Sequence, residues 1–212
     1  MIKQMHQPYI ETGHRDYTEK REDNFITYEF ICNDSIRYIP DCLCEVVWIC
    51  RGDKTEVWYP DKAHGDVMKA NGNKIFGVRA DYGISLTALN CNCRYTVDKN
   101  IHPYADRIIK HIIETRGSIS VEEAAAMGKY TARHIDNMFK DIFRCSTKYF
   151  IKTVRFHNAL SALINNPYGN NSEYMEGLDY SDQAHFQREF KAFSGITPGE
   201  MKKKYKTPGS SY

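Results

Sequence analysis

Apolar and polar residues follow two rhythms along this chain, and the change falls near residue 100. Between 25 and 98, short runs of β-branched and aromatic residues recur: FITYEFI, LCEVVWIC, TEVWYP, KIFGVRA, ISLTALN and CRYTV. Turn formers separate them at Asn33-Asp34, Gly52-Asp53, Pro60-Asp61, Asn71-Gly72-Asn73 and Asp81-Tyr82-Gly83. Runs of this length and spacing predict a small antiparallel β barrel or sandwich. Residues 1–24 show no sustained apolar period and read as a flexible polar arm.

Beyond Val97 the period lengthens. His102-Pro103 marks the boundary, because proline suits the first turn of a helix. A first helix over 104–116 carries Ile108, Ile109, Ile112 and Ile113 on one stripe and ends at Gly117. Ser120 with Glu123 three residues on is a capping-box signature for a short helix, 121–127. Gly128-Lys129-Tyr130 makes a turn, and Thr131 caps a helix over 131–143 with Ile135, Met138, Phe139 and Ile142 inward. A long helix over 147–165 stops before Pro167. A short helix over 172–178 follows, then one over 181–193 burying Phe186, Phe190 and Phe193. Gly195 closes it, Thr197-Pro198 opens a last helix, and 207–212 reads as a disordered tail. The expected fold is α+β: a β-rich domain over 25–98, then an all-α domain over 103–206.

The helical region repeats a single unit: a short helix, a tight turn and a longer helix with an apolar stripe. Tyr130-Thr131 precedes Phe139-Lys140 as Tyr180-Ser181 precedes Phe190-Lys191. Such a longer helix fits the DNA major groove. Two on one rigid connector can enter successive grooves about 34 Å apart. Charge agrees with that partner. The net +2 divides into −2 over residues 1–100 (13 Lys/Arg, 15 Asp/Glu) and +4 over 101–212 (16 Lys/Arg, 12 Asp/Glu). A basic half suits a polyanion. No apolar run approaches the roughly 20 residues of a membrane helix, and the polar start lacks the apolar core of a secretory signal, so a cytoplasmic location is expected.

Residues 104–205 resemble the DNA-binding domain of the AraC/XylS family of transcription regulators. The stretch D-Y-S-D-Q-A-H-F-Q-R-E-F-K-A-F-S-G-I-T-P carries most of the resemblance, and V-E-E-A-A-A with Y-T-A-R-H-I-D-N-M-F-K matches in register. The resemblance implies two helix-turn-helix units joined by a long helix, with duplex DNA and RNA polymerase as partners, in an activator or a repressor. It offers Arg133, Asp136 and Asn137 to bases from the first recognition helix, with Thr131 and Lys140 near phosphates. From the second it offers Gln183, Ala184 and Arg188, with Ser181, Asp182 and His185 at the helix start. Asn and Gln pair with adenine and Arg with guanine, while contacts to phosphates supply affinity. The glycine often found in each turn is displaced: Gly128 sits one position early, and Asp179 takes the second place, where an aspartate tolerates a left-handed backbone. Asp136 is a carboxylate on a face that meets phosphate, suited to accept from cytosine or to weaken contact. I-P-D-C-L-C-E-V-V-W and F-G-V-R-A-D-Y-G resemble a small sensor domain of some AraC-class regulators, which implies pairing of two chains or a small-molecule effector.

Seven cysteines, six between Cys32 and Cys93, argue against a closed disulfide framework. On strands Cys42, Cys44 and Cys50 would share a face. With Cys91 and Cys93 opposite, Cys42, Cys44, Cys91 and Cys93 are candidate zinc ligands or oxidant sensors; buried thiols acting as small hydrophobes are the plainer reading. His64, Trp48, Trp58 and Tyr59 are candidates to line a ligand pocket, against the plainer reading as core. Some DNA-repair proteins fuse this kind of DNA-binding domain to a Cys₄ zinc alkyl acceptor, but the wider cysteine spacing that this needs is absent. No G-x-S-x-G, H-E-x-x-H or P-loop occurs. A non-enzymatic protein without a cofactor is expected.

Overall fold

A computed structural model of the chain describes residues 15–61, 65–81, 84–89, 93–99 and 103–206. They form two compact units, one of strands and one of helices.

The β unit centres on a five-stranded antiparallel sheet in the order β1-β2-β7-β4-β5, made of β1 (Arg15–Arg21), β2 (Phe25–Cys32), β7 (Asn73–Ala80), β4 (Cys44–Arg51) and β5 (Lys54–Trp58). Alternation along β4 explains why both faces are covered, since Val47 and Ile49 point one way and Val46 and Trp48 the other. A ribbon of β3 (Ser35–Tyr38) and β6 (Asp66–Lys69) packs Ile36, Tyr38 and Met68 on the first face, against Tyr28, Phe30, Val47, Ile49 and Ile75. A hairpin of β8 (Ile84–Ala88) and β9 (Tyr95–Lys99) packs Ile84, Leu86 and Tyr95 on the second face, against Val46, Trp48, Phe76, Val78 and Ala80. The result is a layered sandwich; the described strands close no barrel. The polar arm expected over 1–24 holds a strand from Arg15 onward, because β1 adds to the edge of β2.

Two stretches singled out in the sequence, I-P-D-C-L-C-E and G-V-R, meet inside this sandwich. Glu45 and Arg79 are direct cross-strand neighbours, as are Val47 and Gly77. Tyr28 pairs with Gly77 from the other side, and its ring lies where a Cβ on residue 77 would be, 2.0 Å from Tyr28 Cζ. The missing side chain lets Tyr28 reach over β7 and donate to Glu45 Oε1. Asp41 accepts from Tyr38 Oη at 2.8 Å and from the Leu43 N–H at 2.9 Å, and its other oxygen stands 4.0 Å from Arg79. All three charged residues are buried, and Glu45 Oε2 has no hydrogen-bond partner. Burial pushes the Glu45 carboxyl up to about 7, against the pull of Arg79 and with the push of Asp41.

The helical unit comprises α1 (Pro103–Glu114), α2 (Val121–Met127), α3 (Ala132–Phe143), α4 (Thr147–Asn165), α5 (Asn171–Met175), α6 (Gln183–Ser194) and α7 (Pro198–Lys206). The connector α4 has no single apolar stripe because it serves two cores. Phe150 packs with Phe139 and Phe143 of α3, while Phe156, six residues on and so on another side of the helix, packs with Phe190 and Phe193 of α6. Gly117, at φ +74°, brings the turn after α1 onto the connector: a Cβ there would meet the Ile151 carbonyl oxygen at 2.6 Å. The same turn reaches the second half of the unit. Arg116 Nη1 donates to the Glu176 carbonyl at 3.4 Å, and Ser118 Oγ donates to that of Gly177 at 3.0 Å.

Candidate nucleic-acid interface

Each half of the helical unit presents one amphipathic helix. For α3, Ile135, Phe139 and Phe143 are buried while Arg133, Asn137 and Lys140, at i, i+4 and i+7, form an exposed stripe. For α6, Phe186, Phe190 and Phe193 are buried while Gln183, Ala184 and Arg188 are exposed.

Capping fixes where each helix begins. Thr131 accepts from the His134 N–H at 3.2 Å, and Asp182 from the His185 N–H at 2.6 Å. The latter bond holds the Asp182 carboxyl below its usual range. Helix α6 therefore starts at Gln183, two residues later than the pattern suggests, with Ser181 exposed before it. His185 is half-buried; its Nδ1 lies 3.3 Å from Ser181 Oγ and accepts the Ser181 N–H at 3.4 Å. The Asp182 carboxylate thus occupies the positive end of the α6 dipole, and the exposed Ser181 hydroxyl lies just outside it.

Asp136 stands apart from its neighbours. Its carboxylate accepts from the Thr147 N–H at 3.0 Å, the first residue of α4, and lies 2.7 Å from Lys140 Nζ. Lys140 above all, and the Thr147 N–H with it, hold this carboxyl below its usual range. One of its oxygens is thus directed at the connector and the other at Lys140 of its own helix.

The two turns differ from expectation in which residue adopts the left-handed backbone. In the first it is Lys129, at φ 56°, while Gly128 is right-handed. Gly128 is needed for space, since a Cβ would meet the Tyr130 ring at 2.5 Å. In the second it is Gly177, at φ 67°, and Asp179 is not among the positive-φ residues.

Residues 123–204, spanning both short-helix, turn and long-helix elements, match a family model described as a helix-turn-helix domain. This region is an AraC-type helix-turn-helix domain. It is the DNA-binding region of a transcription regulator. No curated protein matches the chain by sequence. Among solved structures, the AraC-type domain is similar to the C-terminal domain of AraT, a response regulator from Geobacillus stearothermophilus (TM-score 0.46, 19% identity, 50% of this chain and 88% of that one). It is also similar to the C-terminal domain of the response regulator yesN from Fusobacterium nucleatum (0.41, 23%, 46% and 97%). Over a longer span the chain is similar to apo ToxT K231A from Vibrio cholerae (0.48, 9%, 86% and 98%).

The AraC-type domain also depends on residues that the sequence pattern did not single out. Arg155 of α4 and Glu189 of α6 form a buried pair, with Nε to Oε1 and Nη2 to Oε2 both at 3.0 Å. The signal was a charge on each core stripe: Glu189 falls three residues after Phe186, and Arg155 four after Ile151.

Of the cysteines expected to share a face, Cys44 and Cys50 do, on the side of β4 that carries Val46 and Trp48, and Cys93 packs on that side; Cys42 does not. Cys42 lies in the segment before β4, at φ 58°, and is buried. Cys44 Sγ accepts the Leu86 N–H at 3.3 Å. Cys93 lies beside Cys50, and burial pushes its thiol up to about 11, so it stays protonated at neutral pH. Cys91 and His64 fall outside the described residues. Among those described, no group of three or more His, Cys, Asp or Glu could hold a metal ion. Trp48 and Trp58 lie on opposite faces of the sheet, and Tyr59 is exposed, so these aromatics line no common pocket. No described helix is long and apolar enough to cross a membrane.

Proposed function

We propose that the protein regulates transcription by reading a specific duplex sequence with α3 and α6 in two successive major grooves. Arg133 and Asn137 from α3, and Gln183, Ala184 and Arg188 from α6, address base edges. Thr131, Lys140, Ser181, Asp182 and His185 lie along the backbone path, where Lys140 and the Ser181 hydroxyl meet phosphates and Asp182 holds the start of α6 in shape. Asp136 acts through the fold, tying α3 to the connector, more than through a base. RNA polymerase is the partner through which bound protein acts, and the β unit serves pairing of two chains or response to a small molecule. Action is by binding, without catalysis.

The observation that carries this reading is the pair of capped amphipathic helices, each with its apolar stripe packed on one shared connector and its polar stripe exposed. Selection of bound sequences from a random duplex pool tests it. The enriched site should contain two short blocks whose centres lie about one helical turn apart. A single short block, or no enrichment over the pool, refutes the two-groove reading.

A further inference from the structure

The two probes are attached to the connector in different ways. Only residues 144–146 separate α3 from α4, and Asp136 clips that junction at the Thr147 N–H. Between α4 and α6 run residues 166–182, including α5. So long a connection does not by itself fix the angle of α6. The Phe156, Phe190 and Phe193 contacts hold it close, but apolar packing is non-directional and a helix can roll on it.

Arg155 supplies direction. Its fork grips both oxygens of Glu189 at 3.0 Å. Its remaining terminal nitrogen donates to the Asp179 carbonyl at 2.9 Å, in the turn leading to α6, and its guanidinium lies 4.9 Å from the centre of the Tyr180 ring. Lys152 stands 3.5 Å and His185 3.7 Å from the same Glu189 carboxylate. One planar group thus meets the helix, the turn and the aromatic residue between them. Bidentate guanidinium–carboxylate bonds add geometric specificity that a single hydrogen bond or an apolar contact lacks.

We infer that Arg155 is the positioning residue of the second recognition helix: through Glu189 it sets the rotation at which α6 presents Gln183, Ala184 and Arg188. Glu189 is the next residue after Arg188, so any roll that opens the fork swings Arg188 by the same angle. A buried ion pair is a weak source of net stability, and apolar residues of like volume in its place often leave a protein as stable or more so. What the pair adds is angle. This inference rests on the two-groove reading proposed above.

The test uses the full chain and the site selected from the random pool. Affinity is measured for the intact site and for sites with either half scrambled, beside thermal unfolding. The double variant R155M/E189M keeps the volume and loses the fork; R155K keeps the charge and loses the planar geometry. The double variant should melt at or above the parent temperature and discriminate the first half as the parent does. Its discrimination of the second half should fall at least about tenfold, the scale of losing one base contact. R155K should fall between the two. A well-folded double variant, or R155K, that keeps parental discrimination of the second half overturns the role of Arg155 alone. A parent protein that discriminates only one half refutes the two-groove reading and takes this inference with it.

Discussion

Replacing Glu45 by Gln should abolish a loss of stability that the parent β unit suffers as pH rises through neutrality. Glu45 is buried between Arg79, Asp41, Tyr28 and Tyr38, with one oxygen unpartnered, and its carboxyl is raised from 4.5 to about 7. A carboxyl raised by folding favours the folded state while protonated. That contribution is complete below about pH 4.5 and gone above about pH 8. At about 1.4 kcal/mol per tenfold change in proton affinity, the whole is about 3 kcal/mol, of which about 2 falls between pH 5.5 and 8. The assay is built in, because both tryptophans of the chain, Trp48 and Trp58, lie in the β unit. Urea unfolding of the full chain followed by tryptophan fluorescence therefore reports that unit. The parent midpoint should fall by roughly 1–2 M urea from pH 5.5 to pH 8, for a slope of about 1–2 kcal/mol per molar. Glu45→Gln keeps the shape, cannot ionise, and should lose most of that shift. If parent and variant midpoints move together with pH, or the parent grows firmer as pH rises while the variant does not, the assignment of the raised carboxyl is wrong.

Further expectations follow from single contacts. Arg188→Ala should weaken binding to the best site by about 1–3 kcal/mol and relax choice at one position, as read by competitive fluorescence anisotropy. Asp136→Ala frees a helix-terminal N–H and should cost about 1 kcal/mol of stability in thermal unfolding while leaving base preference unchanged; a changed preference would show that Asp136 reads a base. Gly77→Ala sets a methyl into the Tyr28 ring and should destabilise the β unit by about 1–3 kcal/mol, visible as an earlier tryptophan transition. Affinity for duplex should fall steeply with salt, by about 0.9 decade per decade of salt for each phosphate neutralised; a flat salt dependence would argue against Lys140 as a phosphate contact.

What the sequence disclosed follows the range of the forces involved. The connector was legible to the residue because its ends are local: Ser146 caps it, accepting from the Tyr149 N–H, and Pro167 forbids continuation. Strand β1 was illegible because its residues, R-D-Y-T-E-K-R, are charged; a sheet edge carries such residues, and only the ladder to β2 makes them a strand. The four-residue strands β3 and β6 are too short to show a period and exist by pairing with each other. The stripes of α3 and α6 were readable as periodicity, whereas Asp136, Arg155 and Glu189 were not, since their roles depend on partners 11, 34 and 34 residues away. The cysteine face held for Cys44 and Cys50 and failed for Cys42, which precedes the strand on which they lie.

The seam at residues 116–118 limits how this regulator can be rebuilt. Arg116 and Ser118 hand hydrogen bonds to the carbonyls of Glu176 and Gly177, so the two readers share a joint as well as an axle. The donors of that joint are side chains and the acceptors are main-chain carbonyls, so the two sides differ in how freely they can be exchanged. A hybrid that borrows only its final forty or so residues from another regulator would keep the joint wherever the borrowed turn follows the same backbone path, because any residue there offers a carbonyl. The reverse hybrid, which replaces the part that holds Arg116 and Ser118, would lose the donors and with them the joint.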